Sequence, residues 1–208
     1  MVITITRQYG AGGSEVARLT AERLGWTLVD NAFVDEVARR AGVPAEVVLA
    51  TEERAPSLKE RLMRALASAS PEVFVPSAAP AEADEERLVR VTERVISEAA
   101  EAGRVVLVGR GAQFVLASAA PEGALHACVV APRGIRVATI MKRESLGAAE
   151  AEALMSRTDA DRDRYVRRWY QRDRQDPANY HLVVNTGWLG YEGAAELIVG
   201  AARRKGWD

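Results

Sequence analysis

A glycine-rich segment near the N-terminus contains the residue types that bind phosphate. Residues 7–15 have the sequence RQYGAGGSE, and the β-branched run Val2 to Thr6 precedes them. A loop between a strand and a helix points successive backbone N–H groups, and the positive end of the helix dipole, at one anion. A plain strand-to-helix turn is the alternative, but the position directly after the first strand favours phosphate binding. We therefore expect the loop to hold the phosphates of ATP through Gly10, Ala11, Gly12, Gly13, Ser14 and Glu15.

This loop departs from the complete phosphate-loop pattern G-x-x-x-x-G-K-[ST]. When the last glycine of the pattern is aligned on Gly12, Gly13 occupies the lysine position and Arg7 the position of the first glycine. Ser14 falls where the magnesium-binding hydroxyl belongs, which predicts Mg²⁺ as the cofactor that accompanies ATP. The loop lacks the lysine that neutralises charge on the transferring phosphoryl group.

Arg7 is the candidate replacement for that lysine. It stands at the end of the first strand and at the mouth of the loop, where its side chain can bend back over the phosphates. A guanidinium donates two parallel hydrogen bonds to phosphate oxygens, which an ammonium group cannot do. The alternative is that Arg7 pairs with an acid such as Asp30 or Glu15 and only braces the loop.

The stretch from residue 157 to residue 174 is dense in arginine. A solvated helix face is the ordinary explanation of such a run. The excess of arginine over lysine favours phosphate contacts instead, because the arginine fork matches phosphate geometry. Within the stretch, Arg157, Asp161 and Arg164 are spaced by four and three residues, which places them on one helical face. The arginines are Arg157, Arg162, Arg164, Arg167, Arg168, Arg172 and Arg174.

These motifs together resemble the cytidylate-kinase-like family. Its members commonly begin with a strand, an Arg-Gln-Tyr-Gly step and a double glycine without the lysine, as residues 3–13 do here. The resemblance extends to Asp30 after the second candidate strand, to Val108-Gly109-Arg110-Gly111 and to Asn185-Thr186. It covers most of the chain and is weak between residues 55 and 84.

The resemblance implies transfer of the ATP γ-phosphoryl group to a nucleoside monophosphate, CMP or dCMP. Arg110 would hold the acceptor phosphate. The acceptor site would also include Asp30, Arg157, Asp161 and Arg164, with Arg7, Arg157 and Arg164 in catalytic roles. Other arginines of the tract, Arg168 or Arg172, would close over the triphosphate as a lid.

Two departures from the family pattern weaken this assignment. Authentic cytidylate kinases have Asp-Gly-Arg-Asp where this chain has residues 108–111, so both acids are missing. They also offer an arginine to the acceptor phosphate where this chain has Glu36, although Arg39 or Arg40, about one turn later, can substitute. The alternative function is a nucleotide-binding regulatory module with little or no transferase activity.

The elements that position these residues alternate between strands and helices. Apolar runs predict five strands, at residues 2–6, 27–29, 104–108, 126–131 and 182–185. Helical spacing appears at residues 15–24, 32–41, 85–102, 135–143, 148–157 and 191–204. This alternation predicts a three-layer α/β/α fold with a mainly parallel five-stranded sheet, of the P-loop nucleoside-monophosphate kinase type.

The whole chain, 1–208, is expected to form a single P-loop kinase-like domain. Residues 31–84 would form a helical region that binds the nucleoside monophosphate, and the Ala-, Pro- and Ser-rich segment 68–84 would be a flexible insertion within it. Residues 155–178 would form the arginine-rich lid.

Composition limits the partners and the compartment. The 28 basic and 29 acidic residues nearly cancel, which disfavours nucleic acid as a partner and favours small anionic nucleotides. No segment has the roughly 18 consecutive apolar residues of a membrane span, and Cys128 is the only cysteine. We expect a cytoplasmic protein without membrane association; the sequence leaves the oligomeric state open.

Overall fold

The computed structural model describes residues 1–29, 31–42, 81–119 and 122–207. Helices and strands are numbered here in chain order over these residues. They are β1 (Val2–Arg7), α1 (Gly13–Leu24), β2 (Thr27–Val29), α2 (Asn31–Ala41), α3 (Ala81–Ala102), β3 (Val105–Val108), α4 (Ala112–Ala119), β4 (Ala124–Val130), α5 (Arg133–Glu144), α6 (Ala148–Tyr170), a 3₁₀ turn (Pro177–Asn179), β5 (Leu182–Asn185) and α7 (Thr186–Arg204).

The five described strands form one sheet in the order β2-β3-β1-β4-β5. Every pairing is parallel, and Val2 is in register with Val105 on one side and with Ala124 on the other. The predicted α/β fold is therefore confirmed, with a sheet that is parallel throughout. Because parallel strands all end at the same edge, the loop after β1 and the turn after β3 lie side by side there.

Side chains alternate between the two faces of the sheet, and each face packs against helices. Ile3 and Ile5 of β1 belong to a buried cluster that includes Val16 of α1 and Ile198 of α7. The opposite face packs through Val105 and Leu107 of β3 against side chains of α2, α3 and α4. Burial on both faces explains why the central strands β1, β3 and β4 are mostly apolar, whereas the edge strands β2 and β5 are more exposed.

The sequence analysis placed the strands well and several helix boundaries poorly. The helix expected at residues 148–157 continues to Tyr170, so most of the arginine tract is part of one long helix. Helix α4 was not predicted, because its sequence AQFVLASA has no polar face to set a helical period. The last helix begins at Thr186 rather than near Tyr191, and it contains a kink at Gly190, whose φ is 67° and ψ is 178°.

Parts of the predicted nucleotide-binding region lie outside the described residues. Of residues 31–84, only 31–42 and 81–84 are described, and Asp30 is not. In the described part of the chain, no helix has the length and apolarity that crossing a membrane requires.

A polar pair is buried between β1 and β4. Thr4 Oγ1 and His126 Nδ1 are 2.8 Å apart, and the His126 backbone N–H donates to His181 Nδ1 at 2.8 Å. The imidazole rings of His126 and His181 stack with their centroids 5.0 Å apart. Burial, and to a lesser degree His181, lowers the pKa of His126 to about 4. His126 is therefore neutral at pH 7.

This lowered pKa predicts a loss of stability on acidification. The unfolded chain, where a histidine pKa is about 6.5, binds the proton more tightly than the folded chain does. The contribution of His126 to the free energy of unfolding is complete above pH 6.5 and falls as the pH drops towards 4. Chemical denaturation at pH 7, 6 and 5 should show that the free energy of unfolding falls more steeply for the native chain than for His126→Asn, because the asparagine amide does not titrate. Equal declines would contradict the assignment.

Candidate functional site

The glycine loop between β1 and α1 has a backbone that only glycine permits. Gly10 and Gly12 have φ of 80° and 79°. A Cβ on Gly10 would lie 2.7 Å from the Arg136 carbonyl oxygen, and a Cβ on Gly12 would lie 2.7 Å from Tyr191 Cζ. Both the conformation and the available space therefore exclude a side chain at these positions.

The loop opens onto the N-terminus of α1. Gly12 is the N-cap, and no side chain in the described part of the chain caps this helix. Its first N–H groups are thus available to an anion. Ser14 is exposed in the first turn of α1. Glu15 is paired with Arg18 at 2.5 Å, so it is already engaged by a partner other than Arg7.

Arg7 and Gly13 are sterically linked. A Cβ on Gly13 would lie 2.8 Å from Arg7 Cγ and still closer to Arg7 Cβ. The stem of Arg7 therefore occupies the space where a side chain at position 13 would begin. An arginine at position 7 excludes a lysine at position 13, which gives the missing lysine of the phosphate loop a structural explanation.

Asp159 of α6 holds the start of the loop. The Tyr9 backbone N–H donates to Asp159 Oδ1 at 3.0 Å, and Arg136 of α5 donates to Asp159 Oδ2 at 2.5 Å. Arg136 Nε also donates to the Tyr9 carbonyl at 2.9 Å. The main-chain N–H and C=O of one loop residue are thus fixed by a single ion pair between α5 and α6.

Arg174 extends this cluster to the end of β1. It donates to the Arg7 carbonyl at 3.0 Å and to Asp163 Oδ1 at 2.6 Å. Burial opposes the charged form of Arg174, but the carboxylates of Asp163 and Asp159 outweigh it and raise the pKa of the guanidinium. Arg174 is only 7% exposed, so this charge is fixed in position beside the loop.

Tyr9 anchors the loop to α5 and α6. Its ring packs against the buried cluster that contains Ile140 and Met155. The guanidinium of Arg143 lies 4.8 Å from the ring centroid and that of Arg162 lies 5.5 Å away. The ring of Tyr9 therefore fixes the loop against the core of the protein.

Two further hydrogen bonds tie the loop to the residue after β4 and to the start of α7. The Ala131 backbone N–H donates to Gln8 Oε1 at 3.2 Å, and Thr186 Oγ1 donates to the Ala11 carbonyl at 2.8 Å. Asn185 accepts from the Gly187 N–H at 2.9 Å and so caps α7. The Asn-Thr pair that the sequence singled out therefore positions the loop and starts the last helix.

Four arginines meet in a small cavity where β1 and β3 end. They are Arg7, Arg110, Arg162 and Arg174, and none of the described residues that line the cavity is acidic. The free volume is about 10 Å³, which is room for about one water molecule. Tyr165 and Val166 of α6 close one side of it. Arg174 is neutralised in part by Asp163 and Asp159, and a group as large as phosphate could enter only if α6 or its side chains moved outward.

The structure brings only some of the predicted acceptor residues to this cavity. Arg110 is buried there, with φ of 59°, and its carbonyl accepts a hydrogen bond from the Tyr170 hydroxyl at 3.4 Å. Arg157 and Arg164 are exposed on α6, whereas Asp161 is buried and ion-paired with Arg164. The buried arginines that α6 and the following segment supply are instead Arg162 and Arg174.

The other arginines that the sequence analysis proposed as substrate ligands lie outside this cavity, and most of them form ion pairs. Arg168 pairs with Glu85 of α3 at 3.1 Å, and Arg172 is exposed. Arg39 pairs with Glu36 at 2.7 Å. Arg40 also pairs with Glu36, and with Glu98 of α3 at 2.6 Å. Glu36 thus holds both arginines that were proposed to replace the family's acceptor-binding arginine.

Sequence analysis missed the residues that fix the loop. Arg136 lies in an ordinary amphipathic helix, and nothing in its surroundings along the chain distinguishes it. Arg174 and Asp159 belong to the arginine tract, but only their contacts with the carbonyl of Arg7 and the N–H of Tyr9 separate them from the neighbouring charges. The sequence feature that could have identified these residues is the four-residue spacing of Asp159 and Asp163, which places both carboxylates on one helical face.

Comparison with known proteins bears on the family and the fold. The model of the cytidylate kinase-like family matches residues 2–187. An uncharacterized protein from Eubacterium ventriosum has 18% identity and a TM-score of 0.70, with 98% of each chain covered. Shikimate kinase from Acinetobacter baumannii has 14% identity and a TM-score of 0.55, covering 100% of this chain and 95% of that one. At these identities the two structures show a shared fold.

A curated relative matches part of the chain. Uronate isomerase from Corynebacterium glutamicum is 33% identical over 119 residues, which are 57% of this chain. The match spans only 22% of that protein's length.

The ion pair at Asp159 predicts a large effect of a small substitution. Asp159→Asn keeps an oxygen for the Tyr9 N–H but removes the charge that faces Arg136, so we expect the free energy of unfolding to fall by about 3 kcal/mol. Glu22→Gln, which breaks an exposed pair with Arg18, should cost less than about 1 kcal/mol. Chemical denaturation at pH 7 measures both. Equally small losses would mean that Asp159 does not stabilise the fold.

Proposed function

This chain belongs to the cytidylate kinase-like family, and on that basis we propose that it transfers the γ-phosphoryl group of ATP to a nucleoside monophosphate, CMP or dCMP. The observation that carries the proposal is the position of Arg7. Its stem packs on Gly13 of the phosphate loop, and the same residue lines the arginine cavity at the end of β3. One side chain would thus join the proposed donor-phosphate site to the proposed acceptor-phosphate site.

The donor phosphates would lie against the glycine loop. The N–H groups at the start of α1, with the helix dipole behind them, would hold the β-phosphate at Gly10 to Ser14. Ser14 offers the exposed hydroxyl oxygen that Mg²⁺ prefers as a ligand. Among the described residues no three His, Cys, Asp or Glu side chains cluster to hold a metal. Bound there, Mg²⁺ would neutralise phosphate charge.

The acceptor phosphate would enter the arginine cavity. Phosphoryl transfer depends mainly on positioning and on positive charge around the transferred group. Arg110 would hold the acceptor phosphate, and Arg7 would stabilise charge that develops between donor and acceptor. Arg162 and Arg174, whose guanidinium groups both lie within 3.5 Å of the Arg7 carbonyl, would add further positive charge beside the loop.

Helix α6 would act as the lid. The cavity is too small for a phosphate while Tyr165 and Val166 close it, so substrate entry requires an outward movement of this helix. Arg157 and Arg164 are exposed on the same helix, where they would contact the acceptor nucleotide together with Asp161. The ion pair between Asp161 and Arg164 would then open, freeing the carboxylate for a ribose hydroxyl or a base amino group. Arg168 or Arg172 would cover the triphosphate.

A second acceptor class is favoured by the partial match to uronate isomerase. Arginine forks bind carboxylates as well as phosphates. A sugar acid could therefore place its carboxylate in the arginine cavity and accept the phosphoryl group on a hydroxyl.

Coupled measurement of ADP release with Mg²⁺ and ATP tests the acceptor. The panel is CMP, dCMP, UMP, AMP, GMP, glucuronate and galacturonate, and we expect turnover with CMP or dCMP, with the diphosphate confirmed by chromatography. Gly12→Ala should abolish turnover because of its contact with Tyr191, whereas Gly134→Ala, which has open space around it, should not. Turnover only with a uronate would establish the second class. Binding of ATP without turnover would indicate a nucleotide-binding module.

Exchange of the cation between positions 7 and 13 tests the role of Arg7. Arg7→Ala should lower kcat by about 10²-fold, the usual effect of losing one electrostatic donor. Gly13→Lys alone should lose activity, because the stem of Arg7 fills the space that the new side chain needs. Arg7→Gly combined with Gly13→Lys restores the complete loop pattern, and its kcat should be at least tenfold higher than that of Arg7→Gly alone.

The control for this exchange is Arg18→Ala, which removes an exposed arginine of α1. Its kcat should equal that of the native chain. If Arg7→Ala lowers the melting temperature but leaves kcat per folded molecule unchanged, Arg7 only braces the loop.

A further inference from the structure

A second cleft lies on the sheet face that carries α4. Its volume is about 490 Å³, within the roughly 300 to 1,000 Å³ of small-molecule sites. Helix α4, the end of α6 and the segment from Arg172 to His181 enclose it. Gln113 is the one described lining residue that this cleft shares with the arginine cavity, so the cleft adjoins the site proposed for transfer but has its own lining.

Gln113, which lines both this cleft and the arginine cavity, contains a buried acceptor that lacks a donor. Gln113 is only 2% exposed, and its Nε2 donates to the Tyr180 hydroxyl at 3.4 Å. Its Oε1 is buried and has no hydrogen-bond partner among the described residues. An unsatisfied buried carbonyl is unfavourable, and a ligand N–H would relieve this cost once a shift of the Gln113 side chain exposed Oε1 to the cleft.

The walls are flat and aromatic. Phe114 and Tyr170 stack with centroids 5.6 Å apart and an interplanar angle of 27°. His126 and His181 form a second stacked pair on the other side of the lining. Because His181 Nδ1 accepts the His126 N–H, the neutral His181 ring carries its proton on Nε2, as a donor. These surfaces suit a planar ring.

The charge of the cleft is positive. Arg172 lines it, and none of the described lining residues is a carboxylate. Burial lowers the pKa of both histidines, so at pH 7 the fixed charge is that of Arg172. An anionic substituent on the ligand would be attracted to this guanidinium.

We propose that this cleft is a second ligand site, which binds a planar heteroaromatic ring with an amino group and an anionic substituent, the chemistry of a nucleotide. The amino group would donate to Gln113 Oε1, the ring would lie against the aromatic walls, and the anion would bind Arg172. Cytosine and adenine both carry such an amino group.

Occupancy of the cleft would act on the arginine cavity through Tyr170. A Cβ on Gly111 would lie 2.9 Å from Tyr170 Cζ, so the tyrosine ring rests directly on this turn. The Tyr170 hydroxyl donates to the Arg110 carbonyl. A ligand packed against Tyr170 would therefore fix the conformation of residues 109–111 and the position of Arg110.

The imidazole NMR signals report on this cleft specifically, because His126 and His181 are the only two histidines of the chain. CMP or AMP at millimolar concentration should shift the signals of both rings in a saturable way. Cytidine should bind at least tenfold more weakly, since it lacks the anion. Ala117→Trp fills the cleft from an exposed position and should abolish the shifts, whereas Ala153→Trp, exposed on α6, should not.

Three outcomes would overturn the proposal: no saturable shift with either nucleotide, an equal shift with inorganic phosphate, or a shift that persists in Ala117→Trp. The shifts should also survive Gly12→Ala, which removes the donor site. The second site and the transferase activity can thus fail separately, because one is measured as histidine shifts and the other as ADP release.

Discussion

The phosphate loop depends on one ion pair between two helices that follow it far along the chain. Asp159 and Arg136 hold the N–H and the carbonyl of Tyr9, and Arg174 holds the carbonyl of Arg7. These charges are largely buried, where removal of one partner is far more costly than at the surface. The helix that carries the arginine tract is therefore attached to the loop it would cover. Movement of α6 and the geometry of the loop are physically coupled.

The location of the positive charge at the loop follows from a steric exchange. In the complete pattern the cation projects from the start of the helix, at the position of Gly13. Here we propose that Arg7 supplies it, and the backbone of Arg7 is held by β4 in register with Val129 and by the donors of Arg174 and Arg162. The stem of Arg7 fills the space above Gly13. A charge anchored on a strand is preorganised, which is what electrostatic stabilisation of a transition state requires.

The sequence by itself determined the strands, the glycine loop and the fold class. Val2 to Thr6 is a run whose burial on both faces of a parallel sheet leaves little freedom in composition. The edge strands Thr27 to Val29 and Leu182 to Asn185 are less buried, but their apolar, β-branched residues still marked them as strands. Gly10 and Gly12 are visible in sequence because a positive φ and a close approach exclude other residues. Such constraints are local, so they appear in the order of the residues along the chain.

Only the tertiary structure decided which charges act together. Arg136 and Asp159 are 23 residues apart, and Arg7 and Arg174 are 167 apart, so no periodicity connects them. The spacing of Arg157, Asp161 and Arg164 correctly indicates neighbours on a helix, but it cannot show that Asp161 is buried while both arginines are exposed. Burial depends on what α6 packs against. That packing turns a uniform run of arginines into a few fixed cations beside the loop and others that remain in solvent.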